Sequence, residues 1–337
     1  PLAALSENTY LAAVRALNRL RGEYGWPVTA VDLPSGLDAD SGQPLGDCVR
    51  ADLTATYGLA KPAHFLHGGD SVGRLRVVDI GIPPEAIHKA MLKGEALDRR
   101  VLAHLPERAV ASHKGSYGHL LVVAGSAGKT GAAILAARAA LRMGTGLVSL
   151  AVPSDLNPIF ETALPEAMTI PLPSTSCLSV ADYQAIQEEL PGKTALVLGP
   201  GLGLHPDTQE LVRRLYRETP LPMVVDADGL NILAPEPETL AQPPAARVLT
   251  PHPGEMARLT GKSSKEIQAD RLAAALRFTE AVNRDTGRIT LVLKGAGTLV
   301  CDPGSAWAIN TTGNPGLAAG GMGDVLAGLL GALLAQH

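Results

Sequence analysis

The amino-acid sequence predicts an α/β fold, a mainly parallel sheet with helices packed on its faces. Apolar runs with strand character alternate with stretches of helical periodicity, the pattern of a right-handed parallel sheet. The 337 residues are 46% hydrophobic but only 3% aromatic, so the core must be built from Ala, Val, Leu and Ile, as buried parallel strands require. Several strand candidates are followed by Gly, Asp or His, at Gly125, Gly199, Asp226, His252 and Gly295. Ligands of such sheets bind beyond the carboxyl ends of the strands.

Taken in order, Glu7 to Leu20 reads as a helix with Leu11, Val14, Leu17 and Leu20 on its apolar face. Trp26 to Asp32 reads as a strand closed by the turn-rich residues 33–42, followed by strands over Ala51 to Tyr57 and Arg74 to Ile80. Mixed charge over residues 84–110 marks a linker, and the chain is divided there into units 1–95 and 96–337. The second unit is regular: strand His119 to Ala124, glycine loop, helix Ala132 to Met143, strand Gly146 to Val152, strand Ala195 to Gly199, helix Thr208 to Arg217. Strands Pro222 to Asp226 and Arg247 to Thr250, a helix over Ser264 to Val282, strand Ile289 to Lys294, an edge hairpin from Gly297 to Trp307 and a final helix over Val325 to Ala335 complete it. Residue 1 is Pro, and the last helix runs up to His337, so the natural chain is expected to extend past both ends.

A formal net charge of -4 gives no reason to expect nucleic acid as a partner. The three cysteines, Cys48, Cys177 and Cys301, are odd in number and far apart with no C-x-x-C pair, so neither a disulfide framework nor a zinc site is indicated and a reducing cytoplasm is the expected setting. Charged residues such as Arg138, Arg142 and Asp324 interrupt every apolar stretch before it reaches the roughly 20 residues that span a bilayer, so no membrane partner is expected.

Gly125-Ser-Ala-Gly-Lys-Thr-Gly131 resembles a phosphate-binding P-loop, but its first glycine is two residues too close to Gly128. What remains is a short turn feeding a helix N-terminus, suited to an anion; a plain strand-to-helix connection explains it equally well. Gly199-Pro-Gly-Leu-Gly203 lacks the third glycine of a dinucleotide fingerprint. Asp226 and Asp228 stand at a strand end, where they could organise Mg²⁺ or water, or cap a turn. His252, between two prolines, is displayed at a loop top, whereas His64 and His67 read as surface residues. Lys294-Gly-Ala-Gly-Thr298 lets backbone amides approach a phosphate while the ammonium supplies charge, with a β-bulge as the alternative. Gly320, Gly321 and Gly323 open onto the last helix and make an anion hole; Asp324 beside them suits a general base facing a hydroxyl that attacks phosphorus, or a helix cap.

In order, these segments resemble the ribokinase-like superfamily and, more closely, the ADP-dependent NAD(P)H-hydrate dehydratases. That family carries His-Lys-Gly, Gly-Ser-x-Gly-x-Thr-Gly-Ala, Gly-Pro-Gly-Leu-Gly, Asp-Ala-Asp-x-Leu-Asn, Thr-Pro-His-Pro-Gly-Glu, Lys-Gly-Ala-Gly-Thr and Asn-x-x-Gly-Asn-Pro-Gly. Each occurs here, from His113 through Asp324, so the resemblance covers residues 101–337. It implies a three-layer α/β/α ribokinase-like domain in which Ala132, Gly203, His252 and Asp324 line the hydrated nucleotide. Lys294, Gly295, Ala296, Gly297, Thr298 and Gly323 would hold ADP. Asp324 would activate the ring hydroxyl for attack on ADP with Mg²⁺ present, converting the S epimer of NAD(P)H hydrate to NAD(P)H with release of AMP and phosphate. Met322 stands where many relatives have Thr.

Residues 1–90 look like the second half of the NAD(P)H-hydrate epimerase domain, a partial Rossmann-like unit, through Val31-Asp-Leu-Pro-Ser-Gly36, Arg50-Ala-Asp-Leu-Thr-Ala-Thr-Tyr57 and Val78-Asp-Ile-Gly-Ile-Pro83. The resemblance implies that Asp32 contacts the hydrate and Ser35 a potassium ion (K⁺). The family's Asn-Asn-Gly-Gly-Asp-Gly loop would lie upstream of these segments. A homo-oligomer is expected. A ribokinase-like kinase of a vitamin precursor or sugar, and a nucleotide-binding regulator with a dead site, are the alternatives.

Overall fold

A computed structural model describes residues 9–66, 69–105 and 107–337. The first unit contains helix α1 (Thr9–Tyr24), strands β1 (Thr29–Val31) and β2 (Leu53–Tyr57), α2 (Gly69–Val72), β3 (Arg74–Val78) and α3 (Pro84–Lys89). Its three strands pair in parallel in the order β1-β2-β3. Of the apolar face predicted for the opening helix, Leu11 and Val14 are buried while Leu17 is exposed; Glu7 and Asn8, at its predicted start, lie outside the described residues, as does His67. His64 is buried, not at the surface: its Nδ1 accepts from the Lys61 amide at 2.9 Å and its Nε2 lies 2.9 Å from the Asp32 carbonyl.

The second unit begins with β4 (Gly94–Leu97), β5 (His119–Val123), α4 (Thr130–Met143), β6 (Leu147–Pro153), α5 (Asn157–Ala163), β7 (Met168–Leu172), α6 (Tyr183–Glu188) and β8 (Ala195–Leu198). It continues with α7 (Pro206–Glu218), β9 (Met223–Val225), α8 (Asp228–Leu233), α9 (Pro237–Ala241), β10 (Arg247–Leu249), α10 (Pro253–Thr260), α11 (Ser264–Ala269) and α12 (Arg271–Val282). Strands β11 (Ile289–Leu293), β12 (Leu299–Cys301) and β13 (Trp307–Asn310) precede α13 (Met322–Gln336). Ten strands form one sheet, ordered β4-β13-β12-β11-β10-β9-β8-β5-β6-β7, parallel except where β12 pairs with its two neighbours.

Alternate residues of the central strands feed two cores. Leu121, Val123, Leu196, Leu198 and Val225 pack with α7, α8, α10 and α12 on one face. Leu120, Val122, Ala195, Val197 and Val224 pack with α4, α5 and α13 on the other. This is the expected three-layer arrangement, with both faces of the sheet lined mainly by aliphatic side chains.

Further details depart from the sequence reading. The expected 95/96 boundary runs through β4, which pairs with β13 and so belongs to the large sheet; the hairpin β12-β13 is therefore not its edge. Strand β7, unread because it carries Pro171, lies at the opposite edge, where a missing N–H is tolerated. The helix predicted over Ser264 to Val282 is broken at Asp270, whose non-helical backbone and carboxylate, accepting from the Ala273 amide at 2.9 Å, cap a new helix. Short helices α8 and α10 begin where only turns were read.

Helix α13 lies against α4 and strands β5 and β8 because its inner stripe is small: Ala327, Gly328, Gly331, Ala332 and Ala335 are its buried residues. A Cβ on Gly328 would stand 2.0 Å from the Ala136 carbonyl oxygen. Gly328→Ala is expected to destabilise the fold by about 1–3 kcal/mol through overpacking; a melting temperature equal to that of the unsubstituted chain would show that the two helices part without cost.

Candidate active site

Strands β11, β10, β9, β8 and β5 are parallel neighbours, so the residues that follow them fall in a row along one edge of the sheet. Chain order reverses between β8 and β5, the place where an open α/β sheet leaves a crevice. The turns after these two strands face each other there. Gly125 N donates to Pro200 O at 2.9 Å and Ser126 Oγ to Gly201 O at 2.8 Å. A Cβ on Gly201 would touch Ala132 Cβ at 3.0 Å, which places Ala132, in the first turn of α4, beside the Gly199–Gly203 turn.

Asp226 and Asp228 flank Ala227, whose φ of 52° is a strained conformation for a residue with a side chain. That kink sends the two carboxylates to different partners. Asp226, 1% exposed, pairs with Lys294 Nζ at 2.6 Å and accepts from Thr250 Oγ1 at 2.8 Å. Asp228 accepts from the Gly203 amide at 2.8 Å and from Lys129 Nζ at 2.9 Å, clamping the two turns together. Neither carboxylate caps α8, as one of them was expected to: its N-cap is Ala227, without a side-chain bond, and Asp228, the first helical residue, is turned to Gly203 and Lys129 instead.

His252 is the N-cap of α10: Nδ1 accepts from the amides of Gly254 and Glu255 at 2.9 and 3.3 Å. Its Nε2 lies 3.5 Å from Glu255 Oε1, and its ring is about half exposed. Glu255 is buried, accepts from the His252 amide at 2.8 Å and stands 3.7 Å from Lys294. Burial pushes its carboxyl above the usual range, and Lys294 opposes that shift.

Asp324 lies in the first turn of α13, whose N-cap Gly321 has a φ of 85°. Burial, with the negative charge of Asp226 and Asp228, raises its carboxyl above the ordinary value of 3.8, and Lys294 offsets part of that. A Cβ on Gly323 would lie 3.4 Å from Lys294 Nζ and 3.6 Å from Asp226 Oδ2. The helix start, the Lys294–Thr298 turn and the β9 end therefore meet at one point, with Lys294 between acids contributed by three elements.

The structure thus brings Ala132, Gly203, His252, Asp324, Gly323 and the turn from Lys294 to Thr298 to the same edge of the large sheet. Asp32 and Ser35 stand apart from it, after β1 of the small sheet. Asp32 adopts a φ of 64°; its carboxylate accepts from Lys61 and, at 2.8 Å, from Thr56 Oγ1, and the Lys61 bond holds its pKa below the usual value. Ser35 is exposed, with its carbonyl accepting from the Val49 amide at 2.9 Å. The two regions are joined by residues 62–66. A Cβ on Gly297 would stand 2.6 Å from the Phe65 carbonyl oxygen, and Leu66 is buried in the larger core of the second unit.

Sequence reasoning missed Lys129, Glu255 and Thr250 as members of this cluster. Glu255 was visible inside Thr-Pro-His-Pro-Gly-Glu, and Lys129 inside the first glycine turn; neither spacing revealed which carboxylate each would meet.

Comparison with known proteins fits this arrangement. A family model described as NAD(P)H-hydrate dehydratase matches residues 120–337, and one described as YjeF-related protein N-terminus matches residues 2–63. The chain is 41% identical over 334 residues to a bifunctional NAD(P)H-hydrate repair enzyme of Moorella thermoacetica, a match covering 96% of this chain and 60% of that protein. The chain thus spans about three fifths of that relative's length. An ADP/ATP-dependent NAD(P)H-hydrate dehydratase of Bacillus subtilis, crystallised with ATP and Mg²⁺, superposes with a TM-score of 0.57 at 29% identity, over 73% of this chain and 83% of its own. A ribokinase-like superfamily protein of Enterococcus faecalis, 23% identical, superposes with a TM-score of 0.61 over 72% of this chain and 81% of its own, and shares the fold. Because the first match contains every strand-end turn from Gly125 to Asp324 and about two thirds of the sequence, the chain belongs to the NAD(P)H-hydrate dehydratase family.

Proposed function

We propose that the second unit repairs hydrated NAD(P)H by ADP-dependent dehydration of its S epimer. The observation that carries this reading is Asp324: a half-buried carboxylate at a glycine-opened helix start, beside the lysine of a glycine-rich turn. Asp324 takes the proton of the ring hydroxyl, and that oxygen forms a bond to the terminal phosphorus of ADP as AMP leaves. The carbon–oxygen bond then breaks, inorganic phosphate departs, and loss of a proton from the adjacent ring carbon restores the dihydronicotinamide. In this reading Ala132, Gly203 and His252 line the hydrated nucleotide, while the Lys294–Thr298 turn and Gly323 hold ADP.

Among the described residues no three His, Cys, Asp or Glu side chains come together as a cage for a metal. Mg²⁺ needs no such cage, since it binds through one or two carboxylates, phosphate oxygens and retained water. Asp226 is the residue that would hold it beside the phosphates, where the ion offsets phosphate charge. The first unit derives, in this reading, from an epimerase that interconverts R and S hydrates, with Asp32 contacting substrate and Ser35 a potassium ion. Among the described residues no helix is long and apolar enough to cross a membrane, and the free thiols of the buried Cys48 and Cys301 suit a reducing cytoplasm.

Mixing the purified chain with hydrated NADH and ADP is expected to regenerate the NADH absorbance with one AMP and one phosphate per turnover. A stable phosphorylated product, or no recovery of absorbance, would overturn the reading in favour of a kinase or a binding protein.

A further inference from the structure

Beneath the Lys294–Thr298 turn lies a side chain found in none of the sequence motifs. Arg271, the first residue of α12, is 3% exposed. Its guanidinium donates to the carbonyls of Leu293 at 3.3 Å and Lys294 at 3.4 Å, and to that of Ala296. Among the described residues it has no carboxylate partner within ion-pair distance, and its Nε has no acceptor. Buried charges are normally paired, so an arginine satisfied only by carbonyl dipoles leaves most of its positive charge unneutralised below the turn.

The carbonyls it holds also decide where the amides point. In a planar trans peptide the N–H lies opposite the C=O. With the Lys294 and Ala296 carbonyls drawn inward, the N–H groups of Gly295 and Gly297 are directed outward, and among the described residues neither donates to the protein. Gly295 permits this through a φ of 148°; a Cβ there would lie 2.8 Å from Arg271 Nη2. Outward amides over a buried cation make a concave anion site.

We propose that Arg271 is a positioning residue for nucleotide binding, which aims the Gly295 and Gly297 amides at the diphosphate and supplies a positive field beneath it. This inference rests on the reading of the turn as the ADP site. Arg247 offers an internal contrast. It is equally buried and donates to the carbonyls of Tyr216, Thr219 and Leu221, but at the amino end of β10, away from the strand ends that carry the cluster.

The test uses the full chain with Arg271→Lys, Arg271→Met and Arg247→Lys. Arg271→Met is expected to raise the KM for ADP by about 30-fold and Arg271→Lys, which keeps the charge, by about tenfold. Both should leave kcat within about threefold and the KM for the hydrate unchanged. Arg247→Lys should lower the melting temperature without moving the KM for ADP. An ADP KM within twofold of the unsubstituted value in both Arg271 variants would overturn the inference; if Arg271→Met fails to fold, Arg271→Lys decides. Photolabelling of the unsubstituted chain with an ADP derivative that carries an aryl azide on its terminal phosphate separates the two levels. Label in the peptide containing residues 294–298, with unmoved KM in the variants, removes the role of Arg271 alone. Label elsewhere removes the nucleotide turn and the inference with it.

Discussion

Asp324→Asn is expected to lower turnover of hydrated NAD(P)H by about 10²–10⁴-fold, the usual contribution of a positioned general base, while changing the KM for ADP little. The amide keeps the shape of the carboxylate but takes no proton from the attacking hydroxyl. The pH profile carries a second signature. Burial and two neighbouring acids raise the Asp324 pKa, so kcat/KM should climb as pH passes a point above the ordinary carboxylate range, and the variant should lose that limb. Stability moves the other way. A carboxyl whose folded pKa lies above its unfolded value favours the folded state only while protonated, below the unfolded pKa. That contribution is lost as pH rises through the folded value. At neutral pH the ionised group therefore destabilises the fold, and the neutral amide should melt higher than the unsubstituted chain. Turnover within threefold of the unsubstituted enzyme would remove Asp324 as the base.

Lys294→Met should have the largest effect on stability. Lys294 stands 2.6 Å from Asp226, which is 1% exposed, and 3.7 Å from the buried Glu255. Removing one partner of a buried pair strands the other charge, at a cost of about 3–5 kcal/mol, and in a unit of this size that lowers the melting temperature by roughly 10 °C. The cause can be isolated. Adding Asp226→Asn removes the stranded charge while leaving a group that Thr250 can still bond, so the double variant should recover part of the loss. A single variant that melts with the unsubstituted chain, or a double variant no more stable than the single, would show that the pair is not what holds this region.

Most of the large sheet was legible because its strands are mostly aliphatic runs of three to seven residues ending in glycine or a polar residue, and buried parallel strands need nothing subtler. The strands that escaped lie at the edges: β4 within a charged stretch and β7 around a proline, each held by one neighbour and by packing rather than by pattern. The site was legible as turns, since glycine and proline fix local backbone from local sequence. Its pairings were not. Nothing near Asp226 announces Lys294, 68 residues later, and Arg271 sits in an ordinary helical stretch whose neighbours say nothing of the carbonyls it holds. Long-range charge placement depends on strand order, and strand order is a property of the folded sheet.

Phe65 and Leu66 belong by chain order to the first unit, yet one backs the Gly297 turn and the other fills the core of the second. Modularity is limited by that plug. Fission of the chain near residue 90 would leave a hydrophobic socket in one product and an unanchored connection between β2 and α2 in the other, so the halves are not interchangeable cassettes. Immediately before this segment stands Lys61, the cation on Asp32, which gives sequence drift in the smaller half a direct mechanical route to the turn at Gly297 in the larger one.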